Sequence, residues 1–281
     1  MATANRDRIR RVTSRQNSLV KDLRRAFQQA ELVEGYSAIE GVRVIEEAIR
    51  SGLRFKAVFF SDSSESRMEK LLPQISSHVE VLGLSDDLFS SAVATETPQG
   101  VAALVRWPEF SLEGVLQKSE PLILGAMGIQ DPGNLGTIIR SAEAFGASAV
   151  LLGEKTVSEF NPKVIRSSAG SSFRLPTVHT KVDQVGGLKE RGLRIAATSS
   201  HKGKPIDEVD LTGGLAILVG SEGAGVPREY MSLADDFIRV PHSERVESLN
   251  AAIAASVILY EAQRQRFFQH RSHAPLAHHR A

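Results

Sequence analysis

Apolar residues recur along this chain in two rhythms, and their alternation predicts an α/β fold. Short uninterrupted apolar runs at 122–127, 149–152 and 215–220 read as strands buried on both faces. Between the first two, Leu135, Ile138, Ile139, Ala142 and Phe145 recur at helical spacing and form one apolar face. The pair Pro132-Gly133 breaks the chain before that helix; Asn134 is expected to cap it and Gly146 to end it. The result is a strand–loop–helix–strand unit with polar residues at the loop, where open α/β sheets bind ligands. Arg140 and Glu143, three apart, are placed to pair on the helix surface.

The same rhythms organise the rest of the chain. Upstream, helices are predicted over 16–32 (Leu19, Leu23, Phe27 and Ala30 on one side), 42–51, 64–72 and 85–91. Strands are predicted over 37–39, 55–60, 79–82 and 100–105. Together they make a compact α/β/α domain, with residues 1–12 polar, basic and disordered at the start. A linker helix follows at 111–118. Beyond Pro121, strands are predicted at 175–178, 193–198 and 237–240, and helices at 164–169 and 182–190. A long helix then runs from Ser248 to about Phe267. It is apolar on almost every side between Ala251 and Tyr260, so it needs cover on both faces, some of it from a partner subunit. At 281 residues the chain exceeds one typical domain of ~100–150 residues. The domains read 12–105, a linker at 106–120, 121–267, and a disordered tail at 268–281.

Charge adds a partner class. There are 34 Lys and Arg against 33 Asp and Glu, so the whole molecule is not a polycation. Yet Arg6, Arg8, Arg10, Arg11, Arg15, Lys21, Arg24 and Arg25 face only Asp7 and Asp22 in the first stretch. The end of the chain adds Arg264, Arg266, Arg271 and Arg280. Such local clusters suit a polyanion. The absence of cysteine excludes disulfides, thiolate metal sites and cysteine nucleophiles, and fits a reducing compartment. No apolar run approaches the ~20 residues that span a membrane. The Arg-rich start lacks the apolar core of a secretory signal. His270, His273, His278 and His279 lie in a tail without held geometry, so no functional metal site is expected there.

Two further motifs carry chemistry. In Ile217-Leu218-Val219-Gly220-Ser221-Glu222-Gly223-Ala224-Gly225-Val226-Pro227 a strand enters a glycine-rich turn. It is neither GxGxxG nor a P-loop with its lysine. The Glu222 carboxylate would repel a nucleotide phosphate, so a cationic ligand fits better. Val240-Pro241-His242-Ser243-Glu244-Arg245-Val246-Glu247-Ser248-Leu249-Asn250 then runs into the apolar helix. Ser248 or Asn250 caps that helix, leaving the other free at its mouth.

Asn134-x-Gly136-x-x-x-Arg140, Gly220-x-Glu222-Gly223-x-Gly225, and Val240-Pro241 with Ser248-Leu249-Asn250 resemble the three motifs of the SpoU (TrmH) family of RNA 2′-O-methyltransferases. The helix ending Tyr260-Glu261-Ala262-x-Arg264-Gln265-Arg266 agrees with them. Order and spacing match throughout 121–266. Residues 12–105 resemble the substrate-binding domain many members carry, a small α/β/α module similar to RNA-binding ribosomal proteins. One departure is Glu244, where many members have glycine. The resemblance implies a mostly parallel sheet closed by a deep trefoil knot, an exception to the rule against knots. It implies S-adenosylmethionine bound in the knotted loops, contacted by Thr198, Gly220, Val240 and Leu249 largely through backbone groups. Glu222 and Ser248 lie beside them.

The family chemistry moves a sulfonium methyl to a ribose 2′-hydroxyl, with Arg140, Asn134, Glu222, Ser248 and Asn250 as the catalytic set and no metal. A guanidinium with pKa of ~12 or more is a poor base. The role expected of Arg140 is therefore to hold an RNA phosphate and stabilise the developing alkoxide. Arg10, Arg11, Arg15, Lys21, Arg24 and Arg25 are expected to meet RNA, together with Arg140. The resemblance also implies a cytoplasmic homodimer joined through the last helix. The extra N-terminal domain favours ribosomal RNA over transfer RNA. A catalytically silent RNA-binding homologue is the alternative, against which intact Arg140, Glu222 and Asn250 argue. A nicotinamide dehydrogenase would need a fingerprint this chain lacks.

Overall fold

A computed structural model of the chain describes residues 8–93, 95, 97–199 and 202–272. The expectations for Arg6, Arg280, His273, His278 and His279, and for the disorder of residues 1–7 and 273–281, lie outside the described residues. The chain forms two compact units. One takes the residues up to 109 together with 158–174; the other takes 110–157 and everything from 175 on.

The first unit holds β1 (Ile9–Val12), α1 (Ser18–Gln29), β2 (Tyr36–Glu40), α2 (Val42–Arg50), β3 (Phe55–Ser61), α3 (Glu65–Leu71), β4 (Glu80–Leu84), α4 (Asp86–Ala92) and β5 (Val101–Arg106). The strands form one sheet in the order β1-β4-β3-β5-β2. Side chains alternate across it. Phe59, Leu82 and Leu104 pack with Leu23, Phe27 and Phe89 on one face. Phe60, Val81 and Val105 pack with Ile45, Met68 and Leu71 on the other. Both faces being covered explains why the inner strands β3 and β5 read as continuous apolar runs. The strand at 9–12 corrects the expectation of a disordered start: Arg10 and Val12 pair in register with Leu82 and Leu84 of β4.

The second unit begins with α5 (Leu112–Leu116), β6 (Leu122–Met127), α6 (Pro132–Ala144) and β7 (Ala149–Leu152). Between β7 and the next strand, the chain passes into the first unit as residues 158–174, which include α7 (Pro162–Ser167). There Ile165 and Phe173 join the core around Ile45 and Phe60. Trp107 stands edge-on to Phe160 at 5.1 Å and to Phe173 at 5.5 Å between ring centroids. The Ser158 hydroxyl donates to the Ala30 carbonyl at 2.6 Å. The expected domain at 121–267 is therefore interrupted: its 158–174 segment is part of the first unit's core.

The chain then supplies β8 (Thr177–His179), α8 (Val182–Gly186), β9 (Arg194–Thr198), β10 (Lys204–Pro205), β11 (Leu215–Gly220), α9 (Arg228–Met231), β12 (Asp236–Arg239) and α10 (Ala251–Ser272). The seven strands are all parallel, in the order β10-β12-β9-β11-β6-β7-β8. On one face Ile123, Met127, Leu151, Ile195 and Leu218 pack with Val185, Leu188 and Tyr230. α10 packs along α6, where the Ser141 and Ser256 hydroxyls meet at 2.7 Å.

α10 runs five residues past its expected end at 267, into the stretch expected as tail. Its basic end is not a free polycation. Arg264 is paired with Glu261 at 2.7 Å, and Arg266 donates to the backbone carbonyls of Leu211, Glu120 and Gly213. Gln265 bonds the Leu211 N–H and the Val209 carbonyl beside it. Among the described residues no helix is long and apolar enough to cross a membrane.

Candidate active site

The site is assembled where β6, β11 and β12 end. After β6 the chain turns through Gly128 and enters α6 at Pro132. Asp131, rather than Asn134, is the cap: its carboxylate accepts from the Asn134 N–H at 2.8 Å. Proline at the first helical position needs no N–H partner, so the entry is well suited to this sequence. Because Asp131 takes the capping role, the Asn134 side chain is left for other work.

After β11 the backbone doubles back, with the Gly225 N–H donating to the Ser221 carbonyl at 2.8 Å. A Cβ added to Gly220 would stand 1.9 Å from the Gly225 carbonyl carbon, so only glycine lets this turn close. The turn carries Glu222 outward. After β12, the segment 240–250 leads to α10, which is capped by Asn250. Its Oδ1 accepts from the N–H groups of Ala252 at 3.0 Å and Ile253 at 3.2 Å. Of the two capping candidates, the structure selects Asn250.

That cap fixes a network. Since Oδ1 faces the helix, the Asn250 amide nitrogen points away and donates to Asn134 Oδ1 at 3.0 Å and to Glu222 Oε1. With its oxygen accepting, Asn134 turns its own Nδ2 to Glu222 Oε1 at 3.1 Å. Both amides are thereby oriented by hydrogen-bond complementarity, and both donate to one carboxylate, which as a carboxylate only accepts. Three motifs far apart in sequence meet in this one cluster.

Beside it lies a cavity of about 320 Å³. Thr198, Gly220, Glu222, Val240, Ser248 and Leu249, the residues expected at the cofactor, all line it. Its wall offers glycine backbone, hydroxyls and one carboxylate, with the Arg239 guanidinium engaged by the Gly203 carbonyl at 3.2 Å. Sequence reading missed Arg239, Ser199, Ser221 and His242 on this wall; Ser221 and His242 lie inside the second and third motif loops, while Ser199 directly follows β9 and Arg239 ends β12. Glu244, the departure from the family pattern, is exposed and outside the cavity wall.

Arg140 is not in the network. It is exposed on α6, six residues beyond Asn134, or about 9 Å along the helix. It holds no side-chain hydrogen bond or ion pair among the described residues, so the expected pairing with Glu143 is not formed. The other cations expected at RNA divide. Arg10 pairs with Glu80 at 3.2 Å, and Arg11 pairs with Asp62 and with Glu65. Arg24 donates to the Ser91 carbonyl at 3.0 Å, and Arg25 to Gln29 at 2.9 Å. Arg15 and Lys21 are exposed and hold no side-chain partner among the described residues.

Comparison with known proteins agrees with this geometry. Residues 121–260 match the SpoU rRNA Methylase family, and residues 17–103 match the MRM3-like substrate binding domain. The 23S rRNA (guanosine(2553)-2'-O)-methyltransferase RlmP of Bacillus subtilis (strain 168) is 34% identical over 254 residues, which cover 90% of this chain and 98% of that one. The 23S rRNA (guanosine-2'-O-)-methyltransferase RlmB of Pseudomonas putida is 32% identical, over 81% of this chain and 96% of its own. Among solved structures, the SpoU methyltransferase AviRb from Streptomyces viridochromogenes, in complex with the cofactor AdoMet, superposes with a TM-score of 0.77. It is 29% identical, over 90% of this chain and 99% of its own. Motifs, parallel sheet and relatives agree: the chain belongs to the SpoU rRNA methylase family.

Proposed function

We propose that the protein transfers the methyl group of S-adenosylmethionine to a ribose 2′-hydroxyl of ribosomal RNA. The observation that carries this is the meeting of Asn134, Glu222 and Asn250 on the edge of a cavity lined by all six residues expected at the cofactor. A cavity of glycine backbone, hydroxyls and apolar side chains, with a carboxylate at its rim and its one guanidinium, Arg239, engaged by the Gly203 carbonyl, suits a sulfonium cation better than a polyphosphate. Thr198, Gly220, Val240, Ser248 and Leu249 would hold the cofactor, which supplies an electrophilic methyl group when bound.

The chain's own residues have separate parts. Asn250 and Asn134 hold the Glu222 carboxylate in one orientation beside the cavity, where its charge favours a cation. Arg140, exposed and without a side-chain partner among the described residues, is available to an RNA phosphate and to the alkoxide that develops as the 2′-hydroxyl reacts. Arg15 and Lys21, exposed and without a side-chain partner among the described residues, are cations of the first unit available to the RNA backbone. The names of the relatives and the substrate-binding domain support ribosomal RNA, and with it action in the cytoplasm. The deep trefoil knot belongs to the same reading.

A homodimer is also part of it. α10 buries Ala251, Ala255, Ile258, Leu259 and Ala262, yet leaves Ile253 and Tyr260 55% exposed and Val257 37% exposed. A second copy packed on that face would cover them. Light scattering should give twice the chain mass; a stable monomer would exclude this arrangement. For the reaction, 2′-O-methyl sites mapped in ribosomal RNA with and without the gene should differ at one nucleotide or a few. An identical map, with no transfer to bulk RNA in vitro, would overturn the proposal.

A further inference from the structure

His242 is part of the cavity wall, and nothing in the proposed reaction uses it. It follows β12, two residues past Val240, and its Nδ1 lies 2.8 Å from the Val240 carbonyl oxygen. A carbonyl oxygen has only lone pairs to offer, so the proton in this hydrogen bond sits on Nδ1. In the neutral ring, Nε2 then carries a lone pair and is the ring's one remaining hydrogen-bonding atom. The bond to the Val240 carbonyl also restrains the rotation of the ring.

The two charged side chains on this wall are both hydrogen-bonded. Glu222 takes the amide donors of Asn134 and Asn250, and Arg239 donates to the Gly203 carbonyl. To the hydroxyls of this wall His242 therefore adds a ring nitrogen, Nε2, which the Nδ1 bond to the Val240 carbonyl leaves available. The ligand proposed for this cavity is rich in donors, with an ammonium group, an adenine amino group and ribose hydroxyls.

We infer that His242 is a cofactor-binding residue whose Nε2 accepts a hydrogen bond from S-adenosylmethionine. The inference rests on the methyl-transfer reading above. It assigns the residue to cofactor affinity, not to the chemical step, because its fixed proton on Nδ1 is committed to Val240.

The test is calorimetric titration of the full chain with S-adenosylmethionine. His242→Phe keeps a ring of similar size and removes both nitrogens; affinity should fall about tenfold, the loss of one hydrogen bond to a well-defined partner. His242→Gln carries an amide at the reach of Nε2 and should stay within about threefold of wild type. His242→Asn carries its amide at the reach of Nδ1 and should be as weak as His242→Phe. Equal affinity of His242→Phe and wild type, or rescue by Asn and not by Gln, would overturn the assignment.

A second readout is made on the wild-type chain, with a variant used only to assign the signal. In ¹⁵N-histidine-labelled wild-type protein, the His242 ring should show the Nδ1–H tautomer, and its Nε2 resonance should move on adding cofactor. The signal missing from His242→Phe identifies it. An Nε2 resonance that stays in place while cofactor binds would overturn the inference alone; a wild-type chain that takes up no S-adenosylmethionine would overturn the methyl-transfer reading with it.

Discussion

In one unit of this protein, polar side chains up to 116 residues apart in sequence are bonded to one another around a cavity. In the other, Arg10, Arg11 and Arg24 are each tied to a local neighbour, while Arg15 and Lys21 stand free among the described residues. The difference follows from what each task demands. Moving a methyl group needs groups held at fixed mutual positions, because misplacement by an ångström is costly to rate. Attracting a polyanion needs only charge within a screening length of its surface, and tolerates loose placement. A network marks the chemistry, and scattered free cations mark the attraction.

The largest expected effect tests where the first unit ends. Trp107 is 5% exposed and packs edge-on against Phe160 and Phe173 of the 158–174 segment. Trp107→Ala should destabilise the full chain by about 3–5 kcal/mol, read from urea unfolding. Hydrogen exchange across 158–174 should rise with it. Unchanged protection of that segment would break its assignment to the first unit. The same packing bears on a cut at 107: the fragment beyond it would keep Phe160, Ile165 and Phe173 but lose the core they belong to.

Next comes the catalytic side of the comparison. Arg140→Ala should lower turnover by about 10²–10³-fold, the usual cost of losing one donor to a developing oxyanion. Because Arg140 is exposed and unpaired among the described residues, unfolding should move by no more than about 0.5 kcal/mol, with cofactor affinity retained. Asn250→Ala should behave otherwise. It removes the cap of α10, costing about 0.5–2 kcal/mol, and frees Glu222 at the same time. If the two variants give the same pattern, the separation of Arg140 from the network is wrong.

The strands and most helices were legible because both sheets are covered on both faces, so their inner strands appear as unbroken apolar runs. β10 was not, being two residues long and containing Pro205. β1 was hidden by its arginines, which lie on a partly exposed edge strand while Val12 alone is buried. In the site, composition could place Asn134, Glu222 and Asn250 in three loops but not tell which side chains cap helices. Asp131 and Asn134 are both good caps, and only the backbone path decides between them. The interruption at 158–174 left no signal either, since a helix packs against a foreign sheet with the same apolar face it would use at home.

A smaller effect probes the free cations. Arg15→Glu with Lys21→Glu should weaken RNA binding and flatten its dependence on salt, since each lost phosphate contact removes about one unit of slope. Arg10→Ala, whose guanidinium already faces Glu80, should change that slope less. Equal effects would mean that local ion pairs do not withdraw a cation from the RNA surface.

The smallest expected effect lies at the far end of α10. Glu261 is almost buried, and its carboxylate is held below the ordinary value of 4.5, first by its hydrogen bonds from Arg264, against the opposing cost of burial, and further by Gln265. A carboxylate whose folded pKa lies below its unfolded one binds protons more readily when the chain is unfolded. Its contribution to stability is therefore complete above about pH 4.5 and is lost as pH falls through the lowered folded value. Arg264 is open to solvent, so screening keeps the contribution of this ion pair small. Glu261→Gln should thus lower stability slightly at pH 7, and wild type and variant should converge as the solution is acidified below pH 4.5. Because Gln265 also bonds the 206–211 backbone, the variant reports on how α10 is held to that segment, far from the Asn134–Glu222–Asn250 network. Turnover at pH 7 should stay at the wild-type level; a loss there would mean that the helix end and the site move together, and that the network is less self-contained than its hydrogen bonds imply.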